Sequence, residues 1–227
     1  MKQTRNILNY LGQLRVYGIL DIFVFATALT ASNTEIFGII LLWIGFLLHL
    51  EAEHRDELRL RISQWIALLV YIPSFIFLPT WVPLVFGFLG FLYAKKKKHK
   101  FLALISPMLR GLQSTTLAFS FNPYLIMPAF ILSAARNLVG DFRDAGGDHD
   151  TKILTIPVRL GFRQNQSWAF YGHLIMVIFT TIFWFQYSFL DHSILTLIIL
   201  MQVLAYPVTP RTSNPSYFNL YLKNHKI

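Results

Sequence analysis

Apolar residues run along this chain in long blocks, each closed by a short polar segment. The pattern predicts helices over about residues 16–31, 36–50, 62–78, 80–94, 101–120, 123–140, 167–187 and 193–210. Helix breakers separate the blocks: Asn33, Pro79 with Pro83, Asn122 with Pro123, and Pro207 with Pro210. Several blocks are shorter than the roughly 20 residues that an isolated span needs, so some helices should extend into the adjoining polar loops. The expected fold is all-α, a polytopic transmembrane bundle of about eight helices in one integral membrane domain over 1–227.

Composition supports a membrane protein over the one or two soluble domains that 227 residues would otherwise suggest. Hydrophobic residues make up 55% of the chain, and mean hydropathy is +0.50. The absence of cysteine excludes disulfides and thiolate chemistry. The first apolar run has no small-residue cleavage site and follows a fairly polar stretch, so no cleavable signal peptide is expected. A net charge of +9 would suggest nucleic acid in a soluble protein. Here the basic residues lie between apolar blocks, which favours an anionic bilayer as the partner and excludes nucleic acid. With the N-terminus inside, every Lys and Arg except Arg110 and Arg136 falls in an inner segment. Both termini are therefore expected to be cytoplasmic in a multi-pass protein of the cell membrane.

Of the 11 acidic residues, all but Asp21, Glu35 and Asp191 fall in two clusters. The first holds Glu51, Glu53, Asp56 and Glu57; the second holds Asp141, Asp144, Asp148 and Asp150. Each follows the second helix of its half of the chain, and each lies on the expected cytoplasmic side. The two halves repeat one plan of helix, helix, acidic loop, helix, helix. Two pseudo-repeated four-helix halves around a central cavity would set the clusters opposite one another. If the helix continues through the second cluster, Asp141, Asp144 and Asp148 share one face. Carboxylates on one face repel unless a cation sits among them, and oxygen-only ligands favour Mg²⁺ or Ca²⁺. Arg110 and His49 are candidate substrate-cavity residues; an arginine ten residues into an apolar helix is a functional candidate in its own right.

The stretch from Arg136 to Gly161, R-N-L-V-G-D-F-R-D-A-G-G-D-H-D-T-K-I-L-T-I-P-V-R-L-G, resembles the second aspartate motif of the UbiA-type intramembrane prenyltransferases. Its D-x-x-D-x-x-G-D followed by T-x-P-V-x-x-G is similar in order and spacing, with Lys152 where the family usually has glycine. The resemblance extends over most of the chain, with an acidic motif after the second and sixth helices. Tyr93 and Lys97 resemble the family's Y-x-x-x-K after the fourth. The first cluster, H-L-E-A-E-H-R-D-E, departs from the common N-D-x-x-D-x-x-x-D and is closer to a divergent branch with D-E-x-K-D. The ninth helix usual in the family is missing.

The resemblance implies a Mg²⁺-dependent transferase that moves an isoprenyl group from a prenyl diphosphate to a lipophilic acceptor, as in isoprenoid and quinone biosynthesis. It implies Glu53 and Asp56, with Glu57 as alternate, and Asp141, Asp144 and Asp148 as metal ligands. The three aspartates of the second motif are the catalytic core. Tyr93, Lys97, Arg55, Arg143 and Lys152 are the implied diphosphate contacts. The active site would face the cytoplasm. A transporter remains open because pseudo-repeats and intramembrane charge also suit one. A catalytically inactive relative that binds prenyl diphosphate remains open because the first motif is divergent.

Overall fold

A computed structural model describes residues 14–29, 32–53, 62–207 and 209 of the chain. Among them every regular element is helical. The helices are α1 (Val16–Ala28), α2 (Asn33–Glu53), α3 (Gln64–Tyr71), α4 (Ser74–Phe77), α5 (Trp81–Ala94), α6 (Lys100–Leu104), α7 (Ser106–Phe121), α8 (Ile126–Arg143), α9 (Ala145–Asp150), α10 (Ile156–Arg159), α11 (Ser167–Phe185) and α12 (His192–Ala205). Short 3₁₀ turns at Lys95–Lys97 and Pro123–Leu125 follow α5 and precede α8.

Each predicted block carries helix, and the differences have local causes. The 62–78 block splits into α3 and α4 around Pro73, which cannot donate to the helix ladder. The 101–120 block splits into α6 and α7 at Ile105, just before Ser106-Pro107. The last block ends at Ala205 because Tyr206 precedes Pro207. At the other end of α2, Ser32 and Glu35 form a reciprocal cap: the Ser32 N–H reaches Glu35 Oε2 at 2.6 Å, and the Glu35 N–H reaches Ser32 Oγ at 3.4 Å.

Among the described residues, three helical stretches are long and apolar enough to cross a membrane: Asn33–Glu53, Pro123–Arg143 and Ser167–Phe185. The outward faces carry large apolar side chains such as Trp65, Leu69, Ile76, Phe88, Phe119, Ile175 and Leu204, while Asp21, Glu51, Lys96, Gln113, Asp141, Arg143 and Gln202 are buried. This charge-inside, apolar-outside distribution is what a lipid solvent selects.

Six helices close a ring. α1 packs on α2, α2 on α5, α5 on α7, α7 on α8, α8 on α11, and α11 on α1. α3 and α4 pack against α2, and α12 packs against α1 and α11. Close approach of α3 to α2 depends on Gly45, where a Cβ would stand 2.8–3.0 Å from Tyr71 backbone and Cβ atoms. The ring surrounds a cavity of about 110 Å³.

Candidate functional site

The cavity has two unlike walls. α7 and α8 contribute Arg110, Ser114, Ser133, Arg136, Asn137 and Asp141. Spacing of three and four residues sets these on the inward faces of their helices, and the Ser114 and Ser133 hydroxyls meet at 2.6 Å across the α7–α8 contact. α1, α2 and α11 contribute Ile22, Phe25, Trp43, Phe46, Leu47 and Trp184, together with the polar Tyr17, Asp21 and His173. Such a cavity suits an amphipathic ligand, with its polar group toward α7 and α8.

Next to Tyr93 and Asp141, which line the cavity, the lysine turn after α5 joins the two acidic regions. Lys95 and Lys98 Nζ lie 3.6 and 3.5 Å from the Glu53 carboxylate at the end of α2. Between them in sequence, Lys96 Nζ lies 3.0 Å from Asp141 Oδ1 near the end of α8. Asp141 Oδ2 also accepts from Ser106 Oγ at 3.1 Å and Asn137 Nδ2 at 3.3 Å. Tyr93 donates to Asn137 Oδ1 at 2.7 Å and accepts from Lys96 at 3.3 Å. Thus Lys96 reaches the Tyr93 hydroxyl. The chain tightens into a 3₁₀ turn at Lys95, and in that geometry residues three apart eclipse. The Lys97 side chain lies outside the described residues.

The second cluster is not one continuous helical face. α8 ends at Arg143, Asp144 takes φ −92 and ψ 6, and α9 begins at Ala145. The three aspartates therefore meet different partners. Asp141 holds Lys96. Asp144 accepts a fork from Arg143, Nε to Oδ1 at 2.7 Å and Nη2 to Oδ2 at 2.8 Å. Asp148 accepts from Thr155 Oγ1 at 3.3 Å, which ties the aspartate motif to the T-x-P-V segment. Arg143 is 2% exposed and also donates to the Tyr206 hydroxyl at 3.1 Å. Lys152 has φ +59, the left-handed conformation that glycine adopts most readily. That is the physical reason a glycine is suited to this position.

Arg110 lines the cavity with its guanidinium 4.5 Å from the Trp43 ring centroid, 4.7 Å from Phe46 and 5.5 Å from Tyr93. Gln113 accepts from its Nη1. His49 does not line the cavity; its Nδ1 lies 2.8 Å from Gln64 Oε1 at the α2–α3 contact. Arg55, Asp56 and Glu57 lie outside the described residues.

Mg²⁺ fits the chemistry of the candidate ligands, which offer oxygen alone. Among the described residues no three His, Cys, Asp or Glu side chains gather into a ligand group. Asp56 and Glu57, the other implied ligands, are beyond what the structure describes.

Several site residues escape a reading of the sequence. Arg15, just before α1, pairs with Glu51 at 2.5 Å and lines the cavity. Asp21 pairs with Arg136 and accepts from Thr180 and Thr181 at 3.0 and 3.1 Å. His173 and Tyr206 come from α11 and the segment after α12. Lone charges in apolar helices were the available signal for Asp21 and Arg136, but their partners lie more than a hundred residues apart in sequence. No protein-family model, curated protein or solved structure matches this chain.

Proposed function

We propose that this chain is a multi-pass, Mg²⁺-dependent prenyltransferase that moves an isoprenyl group from a prenyl diphosphate to a lipophilic acceptor inside the membrane. The observation that carries this reading is the lysine turn at Lys95–Lys98. It gathers Glu53 and Asp141, from the two acidic regions, and Asp141 lines a cavity with an apolar and aromatic wall. Its fold is proposed as eight helices in two four-helix halves, with both termini and the site at the cytoplasmic face.

In this reading Lys95, Lys96, Lys98, Arg15 and Arg143 supply positive potential for a diphosphate. Tyr93, Asn137 and Ser106 hold Lys96 and Asp141 in place. Asp144 and Asp148, with Asp56 and Glu57 from the first cluster, would hold Mg²⁺, which when bound would supply charge neutralisation for the leaving diphosphate. The allylic C–O bond breaks with its electron pair going to pyrophosphate. The acceptor forms the new bond to that carbon and gives up a proton. Phe25 and Trp184, whose ring centroids are 4.6 Å apart, would shield the cationic prenyl group. The faces of Trp43, Phe46 and Tyr93 already serve Arg110.

One observation favours a second reading, an inactive relative that binds prenyl diphosphate. Asp141 and Asp144 are each already engaged by a cationic side chain. Pyrophosphate release separates the two. Purified protein is given geranyl, farnesyl and geranylgeranyl diphosphates with a lipid-extract acceptor pool, in Mg²⁺ and in EDTA. Release that requires Mg²⁺ and is lost in Asp144→Ala and Asp148→Ala is expected. Binding without release would establish the second reading.

A further inference from the structure

Two polar contacts set the register of α7 against α8. The Ser106 hydroxyl donates to Asp141 Oδ2 at 3.1 Å, and eight residues along each helix the Ser114 and Ser133 hydroxyls meet at 2.6 Å. The two helices are therefore antiparallel, and the serine pair lies about 12 Å along their axes from the Asp141 end. The other walls reach the same depth. α1 follows the Arg15–Glu51 pair, and α11 passes Gly140 at His173, so both run away from the Asp141 end. Asp21 of α1 pairs with Arg136 of α8 and accepts from Thr180 and Thr181 of α11. One helical turn farther from Asp141 stand Phe25 on α1, Ser133 on α8 and Trp184 on α11. The Phe25 and Trp184 ring centroids are 4.6 Å apart. Ser114, Ser133, Phe25 and Trp184 all line the cavity, so its far end sets two hydroxyls in the same layer as two aromatic rings.

The hydrogens of that pair do not balance within the protein. Each serine hydroxyl carries one hydrogen and can also accept. One of the two hydrogens is used in the bond between Ser114 and Ser133, and among the described residues nothing accepts the other. Ser114 is 2% exposed. A donor left unbonded in a buried site costs free energy that a ligand oxygen would return. A cavity of about 150 Å³ is enough for one benzene molecule, and this one, about 110 Å³, is of that order.

We propose that Ser114 and Ser133 are the specificity-determining pair of an acceptor site, donating their spare hydrogen to the oxygen of a phenol-type ring that lies against Phe25 and Trp184. As the acceptor site of a transferase it rests on the prenyl-transfer reading; as a binding site it does not. Whichever serine donates to its neighbour, the neighbour's own hydrogen goes to the ligand. Either serine alone therefore still holds the ligand oxygen, and only loss of both removes the donor.

The test is equilibrium dialysis of the full chain in detergent, with protein-free micelles as the blank and no prenyl diphosphate or Mg²⁺ present. The probes are 4-propylphenol and propylbenzene, which differ by one oxygen. The proteins are wild type, Ser114→Ala, Ser133→Ala and the double variant. Saturable binding of both probes to the wild type is expected. The double variant should lose about 5–10-fold in affinity for 4-propylphenol. Its affinity for propylbenzene should be unchanged, which is the control for folding. Each single variant should keep most of its phenol affinity. An affinity ratio of the two probes that is the same in the double variant and the wild type overturns the assignment. So does an equal loss of both probes in the double variant, which would make the pair a clamp between α7 and α8. Pyrophosphate release is measured separately, so a wild type that binds the phenol through the serines but releases none would overturn the prenyl-transfer reading and leave the binding site standing.

Discussion

Lys96 Nζ lies 3.0 Å from Asp141 Oδ1, and both side chains are under a tenth exposed. The pair crosses from the turn after α5 to the last full turn of α8, so it joins the two halves of the chain. Removing one partner leaves an uncompensated buried charge, a change that costs about 3–5 kcal/mol. Lys96→Met should therefore lower thermal stability in detergent far more than Lys95→Met. Lys95 is a quarter exposed in its pair with Glu53, a setting worth at most about 1 kcal/mol. Lys96→Met combined with Asp141→Asn should recover part of the loss. Equal melting of the two single lysine variants would show that the pair does not join the halves.

Lys152 holds a left-handed backbone, φ +59. That conformation costs a residue bearing a Cβ about 1–2 kcal/mol, part of which glycine returns as chain entropy on unfolding. Lys152→Gly should be more stable than Lys152→Ala by about 0.5–1 kcal/mol. Both variants remove the ammonium, so they should lose prenyl diphosphate affinity equally if Lys152 contacts the diphosphate. Calorimetry and ligand binding on the same two preparations read both effects.

Gly45 lets α3 approach α2. A Cβ there would stand 2.9 Å from Tyr71 Cα and 3.0 Å from its backbone N. Backbone cannot swing aside as a flexible side chain can, so Gly45→Ala must push the helices apart. Overpacking of this kind costs about 1–3 kcal/mol. Gly147→Ala is the control, because a Cβ there meets nothing within 4 Å. A melting temperature for Gly45→Ala no lower than that of Gly147→Ala would contradict the close contact.

Asp191 caps α12. The Ser193 hydroxyl at 2.5 Å and then the Ser193 backbone N–H at 2.8 Å donate to its Oδ1 and hold its carboxyl below the usual carboxylate range. A folded-state value below the unfolded one means the contribution is complete above the unfolded value. It is lost as pH falls through the folded one. Asp191→Asn should therefore flatten the acid limb of the melting temperature between about pH 5 and pH 2 while leaving the neutral value little changed. An unchanged acid limb in that variant would remove Asp191 from the account.

Much of the fold is legible because apolar blocks and prolines act locally. Pro73, Pro107 and Pro207 mark helix ends through the hydrogen bonds and backbone angles of their own neighbourhood. The site is legible in part, since Asp141, Asp144, Tyr93 and Arg110 all line the cavity. Partner choice was not legible. Lys96 reaches the Tyr93 hydroxyl from the 3₁₀ turn that follows α5, a turn invisible in a run of identical lysines. His49 turns to Gln64 because it falls on the face of α2 that packs against α3.

By itself the sequence determined a helical, apolar-surfaced chain with its carboxylates in two clusters, because hydropathy, helix termination and charge count are properties of short windows. Tertiary structure alone decided that Asp21 meets Arg136, that Arg143 forks onto Asp144, and that His173 packs at Gly140. Each of those pairings depends on which helix faces bury together when the ring closes, and no local pattern encodes a distance between residues that far apart in the chain.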